Sequence, residues 1–540
     1  MATAVPSLLF CLVLLSSPYL GLSYHTSYTH DGKHFVLRSN SDPRQPSLPC
    51  SAIHAGQSGS DGLPLVHRSN PCSLLADADN QITPSAEDIF RRDAARLSAL
   101  LGDDPGSQST ASAPASGVDL PSRGDPLKSL PGAFEYHVVA GFGTPVQNFT
   151  VGFDTATHGA TLLQCKPCAT FPEPCNNSFD PSKSSSLAQV PCGSPDCPLR
   201  GCSGPSCSVS VSLNTTFLGN ATFVTDTLTF SPTSTFPNFR FACLEAGLRT
   251  RDSSSGILDL SRNSHSLATR VPHSLLTVAF TYCLPSSSAS TSGFLKIAPM
   301  RPEYFGHNVS YTPIRSNATT NGDLYFVGLT GLGLGGPDLG VPPSTFASDS
   351  LLDLHTTFTY LKPEVYAALR DGFRRWMSGY RTVPPRGVLD TCYDFTGLKI
   401  IVMPVITLKF DGGASLDLDI WQMMYFDDPD NVFSVGCLAF AAGRPDSRAD
   451  FVIGNLAQKS VEVVYDVHAG QTSSTATRSL RTIYAAVRSS HLDAPAPAPA
   501  RGVTVPVTAK DIPVIKGGLD YSVMVGLGTP AQQLPMDFDT

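Results

Sequence analysis

The sequence predicts an all-β fold with few short helices, on three observations. Ser, Thr, Pro and Gly are abundant, with Val and Phe spread between them, the composition of short strands joined by turns. From Phe134 onward, apolar residues such as Val138, Val139, Phe149, Val151 and Phe153 recur between turn residues such as Gly143-Thr144-Pro145, and this texture persists to about residue 470. Only two stretches carry a convincing helical pattern. Residues 85–101 open with Ser85 and Asp88 in capping-box spacing. Residues 363–377 begin on a first-turn Pro363 and place Tyr366, Leu369, Phe373 and Met377 on one face.

The chain has 540 residues, 41% of them hydrophobic and only 15% charged, a balance that suits packed cores and excludes a disordered chain. A net charge of -8 leaves no basic face for nucleic acid. Residues 8–15 form an apolar run too short to span a bilayer, and small and turn residues follow it; a signal peptide covering 1–23 is expected. No other stretch is long and apolar enough to suggest a membrane span. Seven of the 14 cysteines fall between Cys165 and Cys207, a density that points to disulfides in an oxidising compartment. Cys165 and Cys168 have half of a zinc-site spacing, but no second pair or histidine cluster accompanies them, so no metal is expected. Six glycosylation sequons, at Asn148, Asn176, Asn214, Asn220, Asn308 and Asn317, fit surface loops of a secreted protein.

Residues 102–124 are low-complexity Ser, Ala, Pro, Gly and Asp, an exposed linker suited to proteolytic processing. Beyond the strand-rich region, 472–510 is Ser/Thr-rich and then alternates Ala and Pro, and reads as a second linker. The segment 511–540 is a repeat: 517–540 aligns without gaps onto 132–155, with 11 of 24 positions identical, among them Gly528-Thr529-Pro530 and Phe538-Asp539-Thr540. It reads as the start of a second copy of the same unit, too short to bury a core of its own.

Two aspartates stand out as candidates for chemistry. Asp154 follows the apolar Val151-Gly152-Phe153, and Asp353 follows Leu351-Leu352, so each sits at a strand end where a turn presents its carboxylate. Two carboxylates that meet at a lobe interface share one proton, because both cannot ionise at close range. Strand-end aspartates also cap turns, and spacing alone does not separate the two readings.

The motifs resolve this by resemblance. Tyr136 with Gly143-Thr144-Pro145, Phe153-Asp154-Thr155 and Gln164-Cys165-Lys166-Pro167-Cys168 resembles the start of a plant nepenthesin-like (pepsin-type) aspartic protease. Phe179-Asp180-Pro181-Ser182, Thr225-Asp226-Thr227, Tyr282-Cys283-Leu284-Pro285, Asp390-Thr391-Cys392-Tyr393-Asp394 and Ile453-Gly454-Asn455 are similar to that family in the same order. The resemblance implies a bilobal, pepsin-like acid protease fold with an N-terminal lobe over 131–300 and a C-terminal lobe over 301–471, its final strand apparently missing. It implies a propeptide within 24–130, a catalytic dyad of Asp154 and Asp353, a peptide or protein substrate between the lobes, and neither metal nor organic cofactor. A monomer is the default, secreted to the apoplast, with vacuole or chloroplast as other destinations. The implied disulfide cysteines are Cys165, Cys168, Cys175, Cys192, Cys197, Cys202, Cys207, Cys243, Cys392 and Cys437. Cys392 is implied to pair with Cys437, and Cys283 to be left as a free thiol.

The loops depart from the family pattern. Asp-Thr-Gly is Asp154-Thr155-Ala156 here, and the second motif is Asp353-Leu354-His355, followed by Thr356. A side chain where a glycine lets amides approach costs about 1–3 kcal/mol if the backbone is strained. Leu354 lacks the hydroxyl that locks the loops across the lobes, so that bond is expected to be absent. His355 places an ionisable ring beside the dyad. The family's flap tyrosine is replaced by Leu213. An alternative follows: a weak or inactive pepsin-fold protein that uses the cleft or its rim to capture a peptide or a foreign hydrolase, a conversion that the plant xylanase inhibitors resembling this fold exemplify.

Overall fold

A computed structural model describes residues 25–30, 33–40, 63–67, 70, 73, 85–101, 136–156, 160–169, 177–197, 202, 204–213, 216–232, 234–246, 254–263, 266–270, 278–285, 293–299, 309–315, 324–429, 431–443, 451–467, 481–485, 521–527 and 532–538. The chain divides into two units, Met1–His491 and Leu492–Thr540.

The first unit is built mostly of strands, as expected, and its architecture repeats. Strand Gln147–Asp154 lies parallel to Gly256–Asp259, with Asp154 opposite Asp259. Gly256–Asp259 runs antiparallel to Leu162–Ala169, which in turn runs parallel to Ser234–Ala246. The same sequence of pairings recurs later. Ser350–Leu352 is parallel to Phe451–Ile453, Phe451–Ile453 is antiparallel to Thr359–Leu361, and that strand is parallel to Phe440–Ala442. Each set ends its first strand at an aspartate or one residue before it, so the duplicated topology delivers Asp154 and Asp353 to equivalent positions. These first strands are buried on both faces, which explains their unbroken apolar runs.

Strands from the two halves join in one large sheet. Val278–Cys283 pairs with both Gly293–Pro299 and Glu462–Val467. A strand from the region ahead of the linker, Leu63–His67, is stitched between Gly293–Pro299 and Tyr136–Phe142. The stacked Phe280 and Tyr465 rings, with centroids 4.4 Å apart, fill the core beside it. At the far edge the fold extends past the expected end at 471: Arg481–Ala485, assigned above to a linker, forms a strand between Glu462–Val467 and Val309–Pro313. The Thr482-Ile483-Tyr484 core of this segment is a strand-forming triplet hidden in a Ser/Thr-rich background.

Two helices matter for the site. Helix α1, Ala86–Leu101, is capped as the sequence predicts: the Ser85 hydroxyl donates to Asp88 and accepts from the Asp88 amide at 3.1 Å. Helix α2, Pro363–Trp376, starts on Pro363 and buries Val365, Tyr366, Leu369 and Phe373 against the second half. Among the described residues no helix is long and apolar enough to cross a membrane.

In the second unit, Tyr521–Leu527 and Gln532–Phe538 form an antiparallel hairpin in which Val523 faces Met536. In the first unit Val138 faces Val151, at the same register of the matching hairpin, so the internal repeat is a repeat of structure as well as of sequence.

Candidate active site

The duplicated strands bring the two aspartates to one point. Asp353 is fully buried and Asp154 nearly so. Between them lies a side chain from α1. Arg96 donates through Nε and Nη2 to Asp353, at 2.8 and 2.7 Å, and through Nη1 and Nη2 to Asp154, both at 2.9 Å. Nη2 alone reaches an oxygen of each, so the two carboxylates are close enough to be bridged by one small donor. Guanidinium is suited to this task because its planar fork grips carboxylates in pairs.

Helix α1 presents Ile89, Asp93, Arg96 and Leu100 on one buried stripe. Ile89, Leu100 and Leu101 pack in a cluster with Leu351, Phe358, Tyr360 and Leu456, the walls around the second aspartate. Asp93 is also held there: its carboxylate accepts from the amides of Thr357 and Phe358, at 2.8 and 3.0 Å, and from the Tyr360 hydroxyl at 3.1 Å.

The altered loops keep the amide contacts that the missing glycines were expected to supply. The Ala156 amide donates to Asp154 at 2.9 Å. The Thr356 amide and hydroxyl both donate to Asp353, at 2.8 and 2.5 Å. Neither Ala156 nor His355 is among the residues with positive φ, so the expected left-handed strain is not stored there. Leu354 is buried and its carbonyl accepts from the Asn455 side chain at 3.1 Å. The loop-locking bond does not disappear with the hydroxyl. His355 sends its ring across to the opposite loop, and Nε2 lies 2.8 Å from the Phe153 carbonyl, next to Asp154. A carbonyl only accepts, so Nε2 carries a hydrogen and donates it, while Nδ1 has no hydrogen-bond partner among the described residues. The Thr155 hydroxyl also lacks a partner among them. The lock is therefore one-sided and runs through the imidazole.

Burial alone would raise the Asp353 carboxyl. The charge and hydrogen bonds of Arg96, the Thr356 hydroxyl and, last, His355 overcome it and bring the carboxyl down to about 2. Arg96 moves the other way: burial opposes its charge, but the two carboxylates more than compensate and hold it protonated.

The segment 136–297 matches the family model described as xylanase inhibitor N-terminal, and 324–473 matches xylanase inhibitor C-terminal. An aspartyl protease family protein of Arabidopsis thaliana is 31% identical over 444 residues, covering 79% of this chain and 89% of the relative. The chain belongs to the plant aspartyl protease family. The aspartic proteinase nepenthesin-1 of Nepenthes gracilis is 29% identical over 351 residues, covering 62% of this chain and 75% of that protein. The crystal structure of edgp superposes with a TM-score of 0.50 at 16% identity, covering 66% of this chain and 93% of the other, and shows the shared pepsin-like fold.

Other expected features of this family member fall as follows. Leu213 ends strand Ser208–Leu213, which turns into Thr216–Ser231 with Leu213 opposite Thr216, so a hairpin stands at the flap position. The tip residues, including Asn214, lie outside the described residues, as do Asn176, Asn308 and Asn317. Asn148 and Asn220 are exposed on strands. Disulfides join Cys165 to Cys243, Cys192 to Cys202, Cys197 to Cys207 and Cys392 to Cys437. Cys175 and the side chain of Cys168 lie outside the described residues. The sulfurs of Cys197, Cys202 and Cys207 lie within 4.8 Å of one another, but each belongs to one of these disulfides and offers no thiolate.

Cys283 is a free thiol. Burial first, then Glu462, pushes it up to about 12, with Lys296 opposing. Alkylation mapped by mass spectrometry at pH 8 is expected to leave Cys283 unmodified in the native protein and to label it on unfolding without reductant, since the thiolate is the reactive form. Labelling of the native protein as fast as of the unfolded one would contradict this.

The sequence singles out the two aspartates that the structure brings together, but not Arg96 and Asp93. The signal was present. On a helix whose buried face is set by Ile89 and Leu100, positions 93 and 96 fall on that face, and a charged pair there requires partners of opposite or complementary character.

Proposed function

We propose that this protein is an acid endopeptidase made as a secreted, latent precursor, with Asp154 and Asp353 as its dyad and α1 as the plug. The observation that carries this reading is the grip of one guanidinium on both carboxylates. With Arg96 withdrawn, two carboxylates at this separation share a proton. The ionised member takes a proton from a water held between them while that water attacks the peptide carbonyl. The protonated member donates to the carbonyl oxygen. Amides at Ala156 and Thr356 fix the carboxylate orientations, and the His355 bridge fixes one loop against the other. The signal-like segment 1–23, the disulfides and the exposed sequons Asn148 and Asn220 support secretion and glycosylation.

A second reading has its own observation. The one-sided lock, the leucine at the flap tip and the leucine after Asp353 fit a protein of this fold that binds a partner without cleaving it. One experiment separates them: incubation of the processed protein with a mixed peptide library between about pH 3 and 6, the range of a shared-proton dyad. Cleavage lost by at least about 1,000-fold in Asp154→Asn, and blocked by pepstatin, is the expected result. A folded, processed protein that cleaves nothing would overturn the endopeptidase reading and favour the binding one.

A further inference from the structure

The contacts of Asp93 form a site that the dyad chemistry does not use. Two consecutive amides, Thr357 and Phe358, and the hydroxyl of Tyr360 converge on both oxygens of one buried carboxylate. The donors belong to the chain segment that follows Thr356, the residue that holds Asp353. Burial, then the charge and hydrogen bond of Asp93, keeps the Tyr360 phenol protonated and therefore a donor. If α1 leaves, these donors lose their acceptor, and buried amides without one are costly.

We propose that Thr357, Phe358 and Tyr360 form a carboxylate-binding subsite of the substrate cleft, occupied in the precursor by Asp93. The proposal rests on the endopeptidase reading for its substrate and on geometry alone for its site. The Thr356 amide donates to Asp353 and the next amide, Thr357, donates to Asp93, so the subsite adjoins the dyad. An extended peptide advances about 3.3 Å per residue, so a side chain in the subsite belongs to a residue within about two positions of the bond at the dyad. The processed protein therefore favours substrates carrying Asp or Glu there. Asn or Gln fits poorly because its NH₂ would face one of the two backbone amides, which only donate.

Two measurements test this. In the full-length chain, Asp93→Ala leaves the three donors around a space of carboxylate size. Its thermal midpoint at pH 6 is expected to rise by several degrees in sodium acetate over sodium chloride at equal ionic strength. Wild type should show no such difference, and Asp93→Ala/Tyr360→Phe a smaller one. Equal midpoints in the two salts for Asp93→Ala would overturn the site. In the second measurement, peptides that differ only by Asp or Asn at each position around the cleaved bond are given to the processed protein. At one position kcat/KM is expected to favour Asp by about tenfold at pH 5, less at pH 3 as the substrate carboxyl protonates near about 4. Tyr360→Phe should lower that ratio. Peptides cleaved with no acidic preference at any position would overturn the subsite. Acetate rescue without cleavage of any peptide would instead sink the endopeptidase reading and leave the carboxylate site standing.

Discussion

Full-length Arg96→Ala is expected to hydrolyse a peptide library at pH 5 before any cut in the linker, at least about 100-fold faster than the intact wild-type precursor. Removing one partner of a buried ion pair costs about 3–5 kcal/mol, and each 1.4 kcal/mol is about a tenfold change in the open fraction. The remaining contacts of α1, at Ile89, Asp93 and Leu100, hold the helix less tightly, and the two freed carboxylates can take up their shared proton. Arg96→Lys should be intermediate, because an ammonium cannot span the four oxygens that the guanidinium fork reaches. The measurement is the initial rate of the uncut chain, with the processed wild type alongside. An uncut Arg96→Ala chain as silent as the precursor, beside an active processed wild type, would show that Arg96 is not what keeps the site closed.

On the proposed latent-precursor reading, the same contact sets the pH at which the uncut chain opens. The carboxyl of Asp353 is depressed from the ordinary value of about 3.9 to about 2 in the folded chain. A depressed acid stabilises the fold above its unfolded value and loses that contribution as pH falls through the folded one. The clamp is thus intact above about pH 4 and is released between about pH 4 and 2. Arg96 contributes nothing to this titration because it stays charged throughout. A pH series on the uncut precursor should find latency held at pH 4–6 and lost toward pH 2. Opening centred at pH 5 would contradict the Arg96–Asp353 pairing.

The strand-rich texture, both helices and the two aspartates were legible in the sequence because each rests on a local signal: an apolar run ending at Asp, a Ser85 cap, a Pro363 start; the two-lobed arrangement came only from the family resemblance. What stayed hidden depends on contacts over long separations. The register of the sequence cannot show that position 96 meets positions 154 and 353. Nor can it show that strand Leu63–His67, from ahead of the linker, enters the main sheet. Motif comparison also gave only part of the second loop. It scored Leu354 as a lost hydroxyl and His355 as added bulk, whereas the ring reaches 2.8 Å from the Phe153 carbonyl and restores a link between the loops. Identity at a motif position is a weaker guide than whether a donor arrives at the acceptor.

That link yields the second large prediction. In processed protein, His355→Gly restores the family residue at one position yet should lower kcat by about 100-fold, with KM little changed. Glycine removes the hydrogen bond of His355 to the Phe153 carbonyl and its 4.0 Å approach to Asp154, and a dyad misplaced by about 1 Å costs about that much. Adding Leu354→Thr to His355→Gly supplies a hydroxyl where the family carries one, and the double variant should recover to at least the wild-type rate. Leu354→Thr alone should change little, since His355 already holds the Phe153 carbonyl. Two contacting residues that serve one bond give this non-additive cycle, whereas independent structural damage would add. A single His355→Gly variant with wild-type kcat would show that the imidazole bridge does not position the dyad.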